Sequence, residues 1–165
     1  MEKNIMSYIN LLEGYKSYIK ACHWGADNMS EHKLMDDVAE SVSSCQDEVA
    51  EIAQGLFGKL SVSDLNPTGM HFTNSKILLS ELIKDTNKFY GTIDGEQFIG
   101  MRSVIEAFLG ELNKFQYLLT LCLKEAIAKR LKGNQVEMNE NYNLSEGELR
   151  KLIRESVKTV LKRIK

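Results

Sequence analysis

Four side chains that can bind a metal ion occur as two pairs in one predicted helix: His32 with Asp36, and Asp47 with Glu51. At 100° per residue they fall at roughly 0°, 40°, 60° and 100°, so they share one face, whereas the apolar residues of the helix centre near 250°. Imidazole and carboxylate groups together bind divalent first-row metals, so this face is a candidate metal-binding face. The alternative interpretation is an ordinary acidic face that is exposed to solvent. The pairs lie eleven residues apart, or about 16 Å, so bonds of about 2 Å cannot join them at one ion.

The two pairs are symmetric about one point of the helix. The midpoint of positions 32 and 51 is 41.5, and so is the midpoint of positions 36 and 47. If two copies of the helix cross antiparallel about a two-fold axis at that point, His32 of one copy lies beside Glu51 of the other. The same operation places Asp36 beside Asp47, so the sequence predicts an isologous interface with two identical metal sites. Small residues on this face permit a close approach: Ala39, Ser43 and Ala50.

A further imidazole precedes this helix. The runs that carry the potential ligands are His23-Trp24-Gly25, His32-xxx-Asp36 and Asp47-xxx-Glu51. Together they resemble the ferroxidase motif of the Dps miniferritins (DNA-binding proteins from starved cells), a branch of the ferritin-like superfamily. The spacing within the helix matches the pattern of that family without a gap.

The resemblance implies an iron site shared by two subunits, which holds one or two iron ions. One chain would contribute His23, His32 and Asp36, and its neighbour would contribute Asp47 and Glu51. The family assembles through two-folds into a hollow homododecamer, oxidises Fe(II), with hydrogen peroxide as the usual oxidant, and stores or detoxifies the iron. The resemblance also places Trp24 near the iron, where it would intercept oxidising equivalents. The same ligand types suit zinc and manganese.

Apolar residues recur at helical spacing along nearly the whole chain, so the predicted fold class is all-α. The predicted helices span about residues 3–24, 29–57, 74–92 and 97–131. Their short, long and short connections predict a four-helix bundle with a long crossover between the second and third helices, which the resemblance specifies as ferritin-like. The Glu-x-x-His motif of di-iron sites inside a single bundle is absent from the sequence, which disfavours an oxygenase of that kind.

The predicted organisation is a bundle over residues 1–131, a polar linker over 132–143 and a basic amphipathic helix over 144–165. The last segment has a net charge of +4 against −6 for the rest of the chain. Such a helix suits nucleic acid, an anionic membrane or a protein. Because its seven aliphatic residues need burial, we favour a protein partner over DNA. The segment also resembles short C-terminal modules of bacteriophage proteins. A second hypothesis is therefore a non-catalytic ferritin-like adaptor that docks to a larger assembly through this helix.

Composition narrows the class of protein. The 165 residues are 43% hydrophobic with a single proline, as in one globular domain. Three cysteines without a CxxC pair favour reduced thiols, and neither a targeting segment nor a membrane span is evident. We therefore expect a cytoplasmic protein, either bacterial or phage-encoded and virion-associated. The sequence has no Gly-rich phosphate loop, nucleophile elbow or HExxH motif. Asp37 and Glu48 are expected to be solvated or interface charges, and His71 to be a loop or capping residue rather than a ligand.

Overall fold

The computed structural model describes residues 2–61, 66, 67, 69, 70 and 72–141, and of residues 130–141 it describes the backbone alone. The chain divides into two compact units, Met1–Lys124 and Glu125–Lys165. The described residues form helices and connections, with no strand among them. The all-α prediction is confirmed, and the first unit packs as a helical bundle.

The helices begin and end close to the positions predicted from the sequence. Their bounds are α1, Glu2–Trp24; α2, Met29–Phe57; α3, Ser75–Tyr90; and α4, Ile99–Asn141, which a 3-10 turn over Glu96–Phe98 precedes. The end of α4 differs from the prediction, because the backbone is helical through ten of the twelve residues assigned to a polar linker at 132–143. Lys, Gln, Glu and Met are polar or flexible side chains with good helix propensity, and polarity alone does not end a helix. The predicted helix at 144–165 lies outside the described residues.

Asparagine side chains define the starts of α2 and α3. Asn28 Oδ1 accepts a hydrogen bond from the backbone N–H of Glu31, and Asn74 Oδ1 accepts one from the backbone N–H of Ile77, both at 2.9 Å. Each satisfies an N–H group that has no partner within its helix. The end of α2 is marked by Gly58, whose φ of +94° favours glycine.

The apolar faces of the helices form one core in the first unit. The apolar stripes at helical spacing are buried in α1 and in most of α2, whereas at the end of α2 Ile52 is half-buried and Leu56 is exposed. The buried stripe residues are Ile5, Ile9, Leu12, Ile19, Met35, Val38, Val42, Cys45 and Val49. The largest side chains with less than 2% of their surface exposed include Leu12, Tyr15, Met35, Leu82 and Ile105. Burial of such side chains stabilises the unit by about 1.5–3 kcal/mol each.

Contacts between the helices define their directions. Gln46 of α2 donates to the carbonyl of Ile9, while the start of α2 lies beside the end of α1, so these two helices are antiparallel. Tyr8 stacks on Phe89 near the end of α3, whereas Tyr15 stacks on Phe72 just before α3 begins. Thus α3 is also antiparallel to α1, and α2 and α3 point in the same direction.

Helix α4 packs antiparallel to α2. Its Glu111 accepts a hydrogen bond from Ser41 in the middle of α2. At one end of the pair, Asn28 Nδ2 donates to the carbonyl of Cys122 at 3.4 Å, and at the other end the rings of Phe57 and Phe98 lie 6.3 Å apart. Helix α4 therefore runs along the whole length of α2. We call the side of α2 that carries the exposed residues Asp36, Asp47 and Glu51 its outer face.

Candidate metal centre

The junction between α1 and α2 places His23 and His32 side by side. The N–H of Gly25 donates to the carbonyl of Ala21 at 3.0 Å and closes α1, and three residues later Asn28 caps α2. The connection is therefore only four residues long, and the two helices leave it antiparallel. Two imidazoles that are nine positions apart in the sequence consequently lie with their ring centroids 3.7 Å apart, at an interplanar angle of 32°.

Reciprocal hydrogen bonds orient the two imidazoles. Nδ1 of His23 lies 3.1 Å from the carbonyl oxygen of His32, and Nδ1 of His32 lies 2.9 Å from the carbonyl oxygen of His23. A carbonyl oxygen only accepts hydrogen bonds, so each Nδ1 carries a proton and donates it. In the neutral rings each Nε2 then retains a lone pair, which is the tautomer that a metal-binding histidine needs.

Asp36 completes a group of three potential ligands within one chain. Its Oδ1 lies 2.9 Å from Nδ1 of His23. One ligand atom each from His23, His32 and Asp36 lie within 4.8 Å of one another. The Asp36 side chain is 64% exposed and the His23 side chain 18% exposed, so the carboxylate lies on the solvent side of the imidazoles. We call this group the histidine-aspartate trio.

The second predicted pair does not join the trio within this chain. Asp47 and Glu51 are both exposed on the outer face of α2, and among the described residues neither has a hydrogen bond or ion pair. Asp47 is eleven residues beyond Asp36 in the same helix, about 16 Å along its axis. One chain thus brings together three of the five predicted ligands and leaves two facing outward.

Trp24, the predicted accessory residue, follows His23 at the end of α1. Its side chain is 71% exposed, and the ammonium group of Lys20 lies 5.6 Å from the centre of its ring. That geometry is a cation–π contact at an exposed position, worth about 0.5–1 kcal/mol. The indole is therefore beside the trio in sequence and accessible to a second molecule.

Glu31 anchors the trio to the rest of the bundle, a role that the sequence pattern does not reveal. It is 6% exposed, accepts a hydrogen bond from the N–H of Asp27 at 3.3 Å and accepts another from the hydroxyl of Ser75 at the start of α3. Burial, together with the charge of Glu31, raises the pKa of the Cys22 thiol. The start of α2 is consequently tied both to the loop and to a third helix.

The remaining residues singled out in the sequence have simpler surroundings. Asp37 and Glu48 are exposed, and Glu48 accepts a hydrogen bond from Ser44 at 3.3 Å. Cys45 is buried and Cys22 is half-buried. His71 lies outside the described residues.

No protein-family model, curated protein or solved structure matches this chain. Within the described residues, no helix combines the length and the apolar character that crossing a bilayer requires. The local geometry of the trio and of the outer face of α2 is therefore what any functional inference must rest on.

Proposed function

We propose that this protein is a Dps-like ferritin that oxidises Fe(II) at sites shared by two copies of the chain and stores or detoxifies the iron. One observation carries the proposal. His23, His32 and Asp36 each place one potential ligand atom within 4.8 Å of the others at the start of α2, and the same face presents two further carboxylates at two-fold-symmetric spacing.

The donor set suits iron in both oxidation states. Imidazole nitrogen binds Fe(II), whereas carboxylate oxygen is a hard ligand that retains Fe(III). Iron is the substrate in this proposal. Two Fe(II) ions each give one electron to one molecule of hydrogen peroxide, which takes up two protons and leaves as two molecules of water. Trp24, beside the trio, would intercept oxidising equivalents that escape this reaction.

A second copy would supply the two missing carboxylates. Antiparallel pairing about position 41.5 brings Asp47 and Glu51 of the second copy to Asp36 and His32 of the first. The same face of α2 permits this, because its small residues Ala39, Ser43 and Ala50 are only half-buried in the isolated chain. Each two-fold interface then contains two complete sites of five ligands.

The helix directions support a ferritin-like arrangement. Because α2 and α3 point the same way, residues 58–74 connect the end of one helix to the start of a parallel neighbour, which is the role of the long crossover in that fold. Two-fold dimers of this kind would assemble further into the hollow homododecamer of the Dps family. A protein partner for residues 144–165 would be additional to that assembly.

The test is oxidation of Fe(II) by hydrogen peroxide, followed through ferric absorbance. The Asp47→Asn/Glu51→Gln variant should lower the initial rate by at least tenfold, because it removes the second copy's ligands and leaves the trio intact. Asp37→Asn/Glu48→Gln is the control, because it also removes one aspartate and one glutamate charge from exposed positions of α2. An unchanged rate in the first variant would show that the site is wrongly assigned.

Two measurements on the same preparation distinguish the ferroxidase hypothesis from the adaptor hypothesis. Metal analysis of protein purified without chelator and its mass in solution should show bound metal and an assembly of many subunits. A metal-free monomer that shows no oxidation would instead favour the adaptor.

A further inference from the structure

We propose that a cavity in the first unit binds a small organic amine, a molecule that carries a primary ammonium group on an apolar body. Its wall includes Tyr18, Phe72 and Glu31, and we call it the Glu31 cavity. The inference is independent of the proposed function, because none of the five proposed iron ligands lines this cavity. It requires neither a second copy of the chain nor a metal ion.

The Glu31 cavity has the size and the mixed lining of a small-molecule site. It lies where the end of α1, the start of α2 and the start of α3 meet, and Leu123 of α4 completes its wall. Its volume is about 560 Å³, and pockets for small ligands span about 300–1,000 Å³. Such pockets combine apolar walls with a few polar groups that fix the orientation of the ligand.

Two aromatic rings form the apolar side of the cavity. The rings of Tyr18 and Phe72 are nearly perpendicular, with an interplanar angle of 87° and centroids 5.4 Å apart. Phe72 also stacks on Tyr15, with centroids 5.3 Å apart, so its ring is held by two neighbours. Aromatic rings pack against apolar groups and also attract organic cations through their π electrons. The aromatic side therefore suits both the apolar body and the positive charge of an amine.

Glu31 supplies a negative charge at the same cavity. It is 6% exposed, and its carboxylate accepts hydrogen bonds from the N–H of Asp27 and the hydroxyl of Ser75. An ionised carboxylate has about four acceptor positions, so about two remain for a ligand. In the described part of the chain Glu31 forms no ion pair. An ammonium group would supply both the missing positive charge and the N–H donors.

An anion is the competing class of ligand, because two helices begin beside the cavity and helix starts attract negative charge. The carboxylate of Glu31 already occupies that position, however, and the hydroxyl of Ser75 at the start of α3 donates to it. The other charged residues of the lining are Asp27 and Lys76, both exposed, so the lining has a net charge of −1. A second anion would be repelled, and the charge balance favours a cation.

The first experiment measures the class of ligand by calorimetry on the full chain in EDTA, with 2-phenylethylamine as the probe. One molecule should bind per chain, at least about tenfold more tightly than 2-phenylethanol, because the charged group strengthens the hydrogen bond to the carboxylate. The anion 3-phenylpropanoate, which has the same ring, should not bind. The trimethylated amine should bind less tightly than the primary amine, because it has no N–H to donate.

Two cysteines report where the probe binds. Cys22 lines the cavity, whereas Cys122 does not, and both thiols are half-buried. Bound 2-phenylethylamine should slow the alkylation of Cys22 by iodoacetamide in proportion to the occupied fraction of sites. Alkylation of Cys122 should keep its rate. Mass spectrometry of the labelled peptides measures both rates in one sample.

Substitutions separate the shape of the cavity from its charge. Ala21 is exposed and lines the cavity, so Ala21→Phe should fill part of the space and lower the affinity for the amine by about tenfold or more. Ala128→Phe, the same change at an exposed alanine of α4 outside the lining, is the matched control and should leave the affinity unchanged. Glu31→Gln should abolish the preference for the amine over the alcohol. Because that variant also loses stability, Ala21→Phe keeps the test independent of folding.

The outcomes also separate this inference from the proposed function. Equal binding of the amine and the alcohol would show that the cavity does not select a cation. Binding that neither Ala21→Phe nor the labelling of Cys22 detects would place the amine elsewhere, and absence of binding would overturn the inference outright. In all three cases the proposed iron site stands. Conversely, if Asp47→Asn/Glu51→Gln leaves iron oxidation unchanged, the amine site stands, because the two sites share no ligand residue.

Discussion

The two ligand pairs of α2 have the same internal spacing but opposite surroundings. His32 and Asp36 lie where α1 ends, so His23 joins them and backbone carbonyls orient both imidazoles. Asp47 and Glu51 lie further along the same face, where both are exposed and form no hydrogen bond or ion pair with the described part of the chain. The fold thus prepares one half of a site and leaves the other half exposed, although one helix provides both.

The difference teaches where the specificity of such a site comes from. A helix fixes the relative positions of its own residues, but a metal needs ligands from several directions, which only a neighbouring chain segment supplies. For the first pair that segment is the end of α1, brought close by a four-residue connection. For the second pair no segment of the described chain serves, and the proposed function assigns that role to a partner molecule.

The largest expected effect is on metal affinity in dilute protein, where copies are separate. His32→Ala should lower the affinity for Zn²⁺ by about 100-fold or more, because loss of an oriented ligand exceeds the 10–100-fold effect of losing an outer hydrogen bond. Asp47→Asn/Glu51→Gln should leave it unchanged at the same dilution. Competition with a chromophoric chelator measures both. If the two variants weaken binding equally in monomers, the contrast between the pairs does not exist.

A smaller effect is expected on the free energy of unfolding, which depends on the contacts that each half of α2 makes with the rest of the bundle. Glu31→Gln should lower the free energy of unfolding by about 1–3 kcal/mol, because a buried carboxylate that accepts from Ser75 and from the N–H of Asp27 loses part of its hydrogen bonding. Denaturant unfolding measures the change. Glu51→Gln, the same substitution at an exposed position of the same helix, should change it by about 0.5 kcal/mol or less.

An equal loss in the two variants would contradict this assignment, since it would mean that the contacts of Glu31 add nothing. A loss confined to Glu31 would show that the first half of α2 is tied to α3 in solution. The same variant should also weaken Zn²⁺ binding slightly, because the trio depends on the position of the start of α2.

Much of the fold could be predicted from the sequence because it depends on local signals. Gly25, Asn28 and Asn74 define helix ends through their own backbone and side-chain chemistry, and their effects are visible without knowledge of distant residues. Helix α4 extends about ten residues beyond its predicted end, because the polar run from 132 onward contains good helix formers and polarity alone does not end a helix. The direction of α2 relative to α3 follows from contacts between residues that are far apart in sequence.

The site was predictable only in part, for a related physical reason. The spacing of His32, Asp36, Asp47 and Glu51 indicates a shared face because helix geometry is fixed. The position of His23 depends on the path of the connection, and its orientation depends on a backbone carbonyl that no side-chain pattern encodes. The contact between Glu31 and Ser75 joins residues 44 positions apart, so only the folded structure reveals it.

The smallest expected effect is on the pH dependence of the free energy of unfolding. It tests whether Asp47 and Glu51 are exposed merely because the second half of α2 is loosely packed. Cys45 lies between the pairs on the core side and is 4% exposed, and burial raises the pKa of its thiol to about 12. The folded thiol therefore stays neutral above about pH 8.5, the value near which an unfolded thiol ionises. Proton release then favours the unfolded chain, so stability is complete below that pH and falls as pH rises.

At pH 9 this linkage should lower the free energy of unfolding by about 0.8 kcal/mol relative to pH 7, and Cys45→Ala should remove that portion of the pH dependence. Denaturant unfolding at both values measures it. Val49→Ala, a nearby buried position without a titratable group, should lower stability equally at both values. If Cys45→Ala leaves the pH dependence unchanged, the thiol is accessible in the folded chain and the second half of α2 is loosely packed. The exposure of Asp47 and Glu51 would then need no partner to explain it.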